Sequence, residues 1–186
     1  ERKIIHSFIF YCRGAVYGNA GAHGSDVAAT LINAVVMTKE EGEKPYTPED
    51  MRYEYRSSFF KREVIPCVIL SASFKAVKST RDEAWATLNK YGEYRRKTQP
   101  PGNSTGSTFK NPPGDYAGRL IEAAGLKGHK IGGAEFSQMH ANFIVNDGNA
   151  SAQDYYQLIR LAQSEVKRQF GVDLQMEIEF LGDFND

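Results

Sequence analysis

Two periods of apolar and polar residues alternate along this chain of 186 residues. From Ser151 to Gly171, residues Tyr155, Leu158, Ile159, Ala162, Val166 and Phe170 fall on one stripe at helical spacing, and Gly171 supplies a stop. Ser79 and Thr80, followed by Asp82 and Glu83, open a second helix in the manner of a capping box; it runs to Lys97 and halts before Pro100 and Pro101. The stretch DYAGRLIEAAG predicts a short third helix ended by Gly125. LINAVVMT, VIPCVILSASFKAV, ANFIVN and LQMEIEFLG read as strands, with Pro66 marking a bulge or edge position in the second. GAVYGNAGAHGSDV reads as tight turns of small residues, and KEEGEKPYTPEDM as a polar turn region. Strands and helices do not alternate regularly, so the fold class is α+β with mostly antiparallel strands. The boundary falls at KTQPPGNST and gives units 1–97 and 98–186.

Charge changes this picture little. Lys plus Arg and Asp plus Glu both number 23, so no strong field draws the chain to nucleic acid or to a membrane surface. Cys12 and Cys67 lie far apart and form no ligand pattern with histidine, which points to a reducing compartment and no structural metal. IIHSFIFYC is apolar but too short to span a bilayer, and Arg13 follows it without a cleavage pattern. It reads as a buried strand, or as sequence foreign to this position.

Four places could carry chemistry. Ser107 stands in GSTFKNPPG, a stiff loop bounded by glycine and proline; it is a proton donor on a rigid support, or a serine that merely turns the chain. Arg56 in YEYRSSFFK can grip a carboxylate with its two-pronged guanidinium, or sit on a solvated strand edge. Glu177 and Glu179 alternate with Met176, Ile178 and Phe180, which puts both carboxylates on one strand face without saying which of them serves a site. His140 precedes a strand, where ligand-facing and packing residues both occur.

Taken together and in order, YGNAGAHGSDV, YRSSFFK, GSTFKNPPGDYAGRLIEAAGLKGHKIGGAEFSQMHANFIVN and EIEFLG resemble the UDP-N-acetylenolpyruvoylglucosamine reductase family, in its shorter-looped branch. The likeness runs from Gly14 to Gly182. It implies a cytoplasmic flavoenzyme of peptidoglycan synthesis, the cell-wall pathway behind cell shape and division. Such an enzyme uses FAD and NADPH to reduce UDP-N-acetylglucosamine enolpyruvate to UDP-N-acetylmuramate, with neither nucleic acid nor membrane as partner. By the same resemblance Ser107 protonates C2, Arg56 stabilises the enolate-like intermediate, and Glu177 is the third active-site residue. Asn111, Lys110, Gln99 and His140 fall at substrate-side positions, and Gly18, Asn19, Gly21, Ala22 and Gly24 at the FAD.

The fold implied is the remainder of an FAD-binding domain, then an α+β substrate-binding domain. The family opens with a βαβ region and a glycine-rich loop around the FAD pyrophosphate, whereas residues 1–13 match nothing in it. The expectation is therefore a truncated chain that lacks the first flavin-binding segment and holds FAD weakly. The alternative is an inactive remnant that binds the UDP-sugar without catalysis.

Overall fold

The computed structural model describes residues 4–6 and 11–184, with backbone alone for 4–6, 11 and 12. Much of IIHSFIFYC, and the side chain of Cys12, therefore lie outside the described residues. The chain divides into Glu1–Thr87 and Leu88–Asp186. The dividing point lies inside a helix, whereas the sequence puts it after that helix.

In the first unit, strands β1 (Ile4–His6), β6 (Cys67–Lys75), β4 (Leu31–Thr38) and β5 (Gly42–Tyr46) form an antiparallel sheet in the order β1-β6-β4-β5. Register shifts between Leu31 and Asn33; beyond it Ala34, Val36 and Thr38 turn inward with period two. Ala34 and Val36 share a core with Ile69 and Ala72 of β6, together with Val16, Met51 and Phe60. Met51 lies on α3 (Pro48–Met51) and Phe60 on α4 (Phe59–Arg62).

Two sequence expectations are corrected here. Gly14 to Gly18 are not turns but part of helix α1 (Tyr11–Gly18), whose Val16 is wholly buried. Nor is KEEGEKPYTPEDM all turn. It holds β5, where Pro45 is tolerated because an edge strand leaves one row of main-chain groups unpaired. The tight turns come later, in the hairpin of β2 (Gly21–Ala22) and β3 (Ser25–Asp26), followed by α2 (Val27–Thr30).

Helix α5 (Arg81–Thr98) begins as the sequence predicts. The Thr80 hydroxyl accepts from the Glu83 N–H, and the Glu83 carboxylate accepts from the Thr80 N–H. None of its residues is buried.

The second unit holds an antiparallel sheet in the order β7 (Ser104–Ser107), β10 (Phe143–Asn146), β9 (Ala134–Phe136), β8 (Lys130–Ile131). Ala134, Phe136 and Ile144 share a core with Leu120 and Ile121 of α6 (Ala117–Ala123), and with Leu158, Ile159, Ala162 and Val166 of α7 (Ala152–Phe170). Ser151 and Asp154 close a capping box at the start of α7, and Gly171 ends it in left-handed backbone. A cap of this kind is worth about 1 kcal/mol. The architecture is α+β.

LQMEIEFLG is not a strand. Its one pairing is the bridge of Met176 with Phe109, so the period-two reading of Glu177 and Glu179 does not apply. Beside that bridge, side chains hold the tail. Gln163 Nε2 donates to the Leu174 carbonyl at 3.0 Å, and Phe180 and Phe184 pack on Tyr156 with ring centres 5.3 Å from it.

Candidate functional site

Ser107 owes its place to a bulge. Opposite β10, Val145 pairs with Ser104 and Phe143 with Ser107, so β7 carries one residue more than its partner over that interval. The kink sits at Gly106, whose φ of 75° is cheap only for glycine. The bulge turns Ser107 out of plain alternation, and its hydroxyl has no hydrogen-bond partner among the described residues. Thr108, next in sequence, is fully buried with its hydroxyl unpaired.

Beyond Ser107 the main chain meets the tail. The Glu177 N–H donates to the Thr108 carbonyl at 2.9 Å, and the Lys110 N–H to the Gln175 carbonyl at 2.8 Å. Two candidate residues far apart in sequence, Ser107 and Glu177, thus lie on paired segments. On its other side Phe109 meets Asn142, which the sequence reading did not single out. The Phe109 N–H donates to Asn142 Oδ1 at 2.9 Å, and Asn142 Nδ2 donates to the Phe109 carbonyl at 2.8 Å. No local pattern in HANFIVN signals this, because the partner lies far away in sequence, just past β7.

Of the substrate-side candidates, Asn111 is engaged at its oxygen, which accepts the Ala117 N–H at 3.1 Å and so caps α6, a helix whose own N-cap Tyr116 offers no side-chain bond. The Lys110 ammonium has no partner among the described residues. His140 sits in the loop between β9 and β10; its Nδ1 accepts the Asn142 N–H at 3.3 Å, and its ring meets Phe143 edge-on at 4.8 Å. Burial pushes its pKa below the usual imidazole value. Gln99, just past α5, accepts from Arg95 Nε at 3.3 Å. A groove of about 410 Å³, lined by Pro100, Lys130, Glu135, Gln138 and Asp147 among others, includes none of Ser107, Asn111, His140 and Glu177.

The first unit carries the other candidates. His23 and Gly24 make the two-residue turn of the β2–β3 hairpin, both with positive φ, at 54° and 80°. That is the turn whose twist suits a hairpin. Ala22 to Ser25 are exposed, and open space surrounds the position of a Cβ on Gly24. Beside the exposed His23 side chain, Gly24 leaves main-chain groups open to a flat ring or a phosphate.

Gly21 behaves differently: a Cβ there would meet Asp26 and Ser25 at 2.9 Å and Arg56 at 3.1 Å. Gly18 ends α1. The Asn19 amide is engaged within the protein. Nδ2 donates to the Asp26 carboxylate at 3.1 Å and the Glu54 carbonyl at 3.0 Å, while Oδ1 accepts the Ala28 N–H at 3.0 Å. Arg56 sits not on a strand edge but in a turn closed by paired bonds between Glu54 and Ser57. Its backbone is left-handed at φ 54°, its guanidinium donates to the Gly21 carbonyl at 2.8 Å, and it lies 5.2 Å from the Tyr55 ring centre.

Among the described residues no group of three or more His, Cys, Asp or Glu could hold a metal ion, and no helix is long and apolar enough to cross a membrane.

Residues 96–181 match the family described as UDP-N-acetylenolpyruvoylglucosamine reductase, C-terminal domain. Over 171 residues the chain is 44% identical to a UDP-N-acetylenolpyruvoylglucosamine reductase of Bacillus licheniformis, covering 91% of this chain and 92% of that one. It is 43% identical to a protein of the same description from Chloroflexus aggregans, covering 90% of this chain and 58% of the relative. The crystal structure of UDP-N-acetylenolpyruvylglucosamine reductase from Thermus caldophilus superposes with a TM-score of 0.75 at 34% identity, over 89% of this chain and 58% of that one. The chain thus spans little more than half the length of the last two.

Proposed function

The chain belongs to the UDP-N-acetylenolpyruvoylglucosamine reductase family, and on that premise we propose that it serves the reduction of UDP-N-acetylglucosamine enolpyruvate to UDP-N-acetylmuramate in peptidoglycan synthesis. The observation that supports this reading most is the main-chain pairing of the Ser107 segment with the Glu177 segment, through Thr108 and Lys110. It gathers a hydroxyl and a carboxylate on one support.

When bound, FAD reduced by NADPH supplies hydride for C3 of the enolpyruvyl double bond; Gly18, Asn19, Gly21, Ala22 and Gly24 are the residues that would hold it. The remaining work falls to side chains. Negative charge develops at C2 and spreads into the adjacent carboxylate, where a cation lowers its energy most in a water-poor site; Arg56 takes that part. Ser107 gives its hydroxyl proton to C2, with Glu177 as the third residue of the site. Lys110 offers an ammonium to the UDP-sugar, alongside Asn111, Gln99 and His140. The support explains the stiffness of the loop. A bulge at Gly106 and a buried Phe109 limit the motion that would cost alignment.

The test supplies FAD, NADPH and the enolpyruvyl UDP-sugar to the chain. Sugar binding is followed by calorimetry and turnover by NADPH absorbance. Ser107→Ala is expected to leave sugar binding unchanged and to lower turnover by about a hundred- to ten-thousand-fold, the usual contribution of a positioned proton donor. Ser107→Cys retains more activity, because a thiol still donates. Binding without NADPH consumption in the unsubstituted chain would leave the non-catalytic reading in place; no binding would sink both.

A further inference from the structure

We propose that Asn142 is the positioning residue that sets the Ser107 and Glu177 segments in register; the meaning of that register rests on the proposed function.

Main-chain groups on an extended segment point alternately to either side. Here the Thr108 carbonyl and the Lys110 N–H face the tail and are taken by Glu177 and Gln175. The N–H and carbonyl of Phe109 face the other way. No strand continues there, because β10 begins at Phe143, opposite Ser107. Phe109 is only 1% exposed, so its peptide groups cannot turn to water, and a buried unpaired pair is costly.

Asn142 fills the gap. A side-chain amide offers a donor and an acceptor side by side, as a peptide does, and Asn142 gives its acceptor to the Phe109 N–H and its donor to the Phe109 carbonyl. Its own carbonyl accepts the Thr108 N–H at 2.8 Å. One residue, itself 3% exposed, thus stands in for a missing strand position and fixes Thr108 and Phe109 together. Ser107 precedes that clamp directly, and Glu177 hangs from Thr108 on the far side. Aspartate cannot do the same when ionised, since a carboxylate only accepts.

That difference makes the test. Amide exchange is followed by NMR in the full chain, in Asn142→Ala and in Asn142→Asp, with exchange corrected for its intrinsic pH dependence. Asn142→Ala is expected to speed exchange at Phe109, Lys110 and Glu177 by roughly ten- to a hundred-fold, the scale of one or two lost buried hydrogen bonds. Leu158, Ile159 and Ala162 in α7 should keep their protection.

In Asn142→Asp the protonated acid still donates to the Phe109 carbonyl. Protection and amide shifts at those three residues should therefore be near normal at low pH and fall together, along a single titration, as pH rises. His140, whose Nδ1 accepts the Asn142 N–H, and Glu177 are present in all three chains, so a transition found in the aspartate variant and not in the other two belongs to residue 142. Calorimetry with the enolpyruvyl UDP-sugar should show weaker binding in Asn142→Ala. Equal acceleration across α7, or a pH-independent aspartate variant, would overturn the proposal and leave Asn142 as ordinary core. If the unsubstituted chain takes no UDP-sugar, the proposed function fails while the exchange results still decide the clamp.

Discussion

Each unit holds a buried asparagine with its amide engaged on both sides, and the two are used in opposite ways. Asn142 joins a strand segment to a sheet whose turns are relaxed. Every described residue of the second unit with positive φ is a glycine. Asn19 joins the end of a short hairpin and the start of α2 to the Glu54 turn, in a unit where Asn19, His23, Arg52, Arg56 and Val64 all hold left-handed backbone without being glycine. Such backbone costs on the order of 1–2 kcal/mol per residue, less for Asn and His. It persists only where surrounding contacts over-determine it. Ser107 therefore depends on register, and Arg56 on a web of contacts holding a strained turn.

The largest effect expected from disturbing this contrast is at Asn19. Asn19→Ala removes two donor bonds and one acceptor bond, and leaves the Glu54 carbonyl beside Arg56 with the Ser57 N–H as its remaining donor. A loss of about 2–4 kcal/mol follows from several unmade buried hydrogen bonds. Urea unfolding followed by NMR should show it at β4 and β6 amides, with α7 spared; a uniform loss across both units would mean that the web is not local.

Val64→Gly should work the other way. Val64 is 81% exposed at φ 55°, so little burial is lost when the strain is relieved. Stability should rise by about 1 kcal/mol, less the entropy that glycine adds to the unfolded chain. Destabilisation would show that the valine contacts outweigh the strain.

A smaller gain, under about 1 kcal/mol, is expected from Thr108→Val, which removes a buried hydroxyl without a partner among the described residues at nearly constant shape. A clear loss instead would reveal a bound water or ligand on that hydroxyl.

The smallest effect is one of pH. His140 has a folded pKa lowered by burial, and its Nδ1 accepts the Asn142 N–H. The neutral ring is the form that folding favours. Below the unfolded value of about 6.5 the unfolded chain binds more protons, so this contribution is present above that pH and is lost as pH falls through the lowered folded pKa. Urea midpoints at pH 5 and 7.5 should differ less for His140→Gln than for the unsubstituted chain; an equal difference would remove His140 from the account.

What was legible in the sequence was what is locally encoded. The apolar stripe and the Gly171 stop mark α7 within a few residues of its ends, and LINAVVMT became β4 residue for residue. β5 was missed because Tyr46 alone among its residues is buried, so no alternation marks it. The tail misled because its alternation serves side-chain packing on Tyr156 and the second core, while its main chain makes a single bridge. Helix α1 was hidden by Gly14 and Gly18, which read as turns. Asn142 could not be found at all, since its partner Phe109 lies far away in sequence.

The central claim is that the Ser107 and Glu177 segments form one substrate-facing support. The direct measurement is a map of amide shifts as UDP-N-acetylglucosamine enolpyruvate is titrated into the labelled chain. The account expects Ser107, Lys110, Asn111, His140 and Glu177 to move along a common saturation curve, with β8 and the middle of α7 still. Shifts confined to the groove at Pro100, Lys130 and Glu135, or no saturable shift at all, would contradict it.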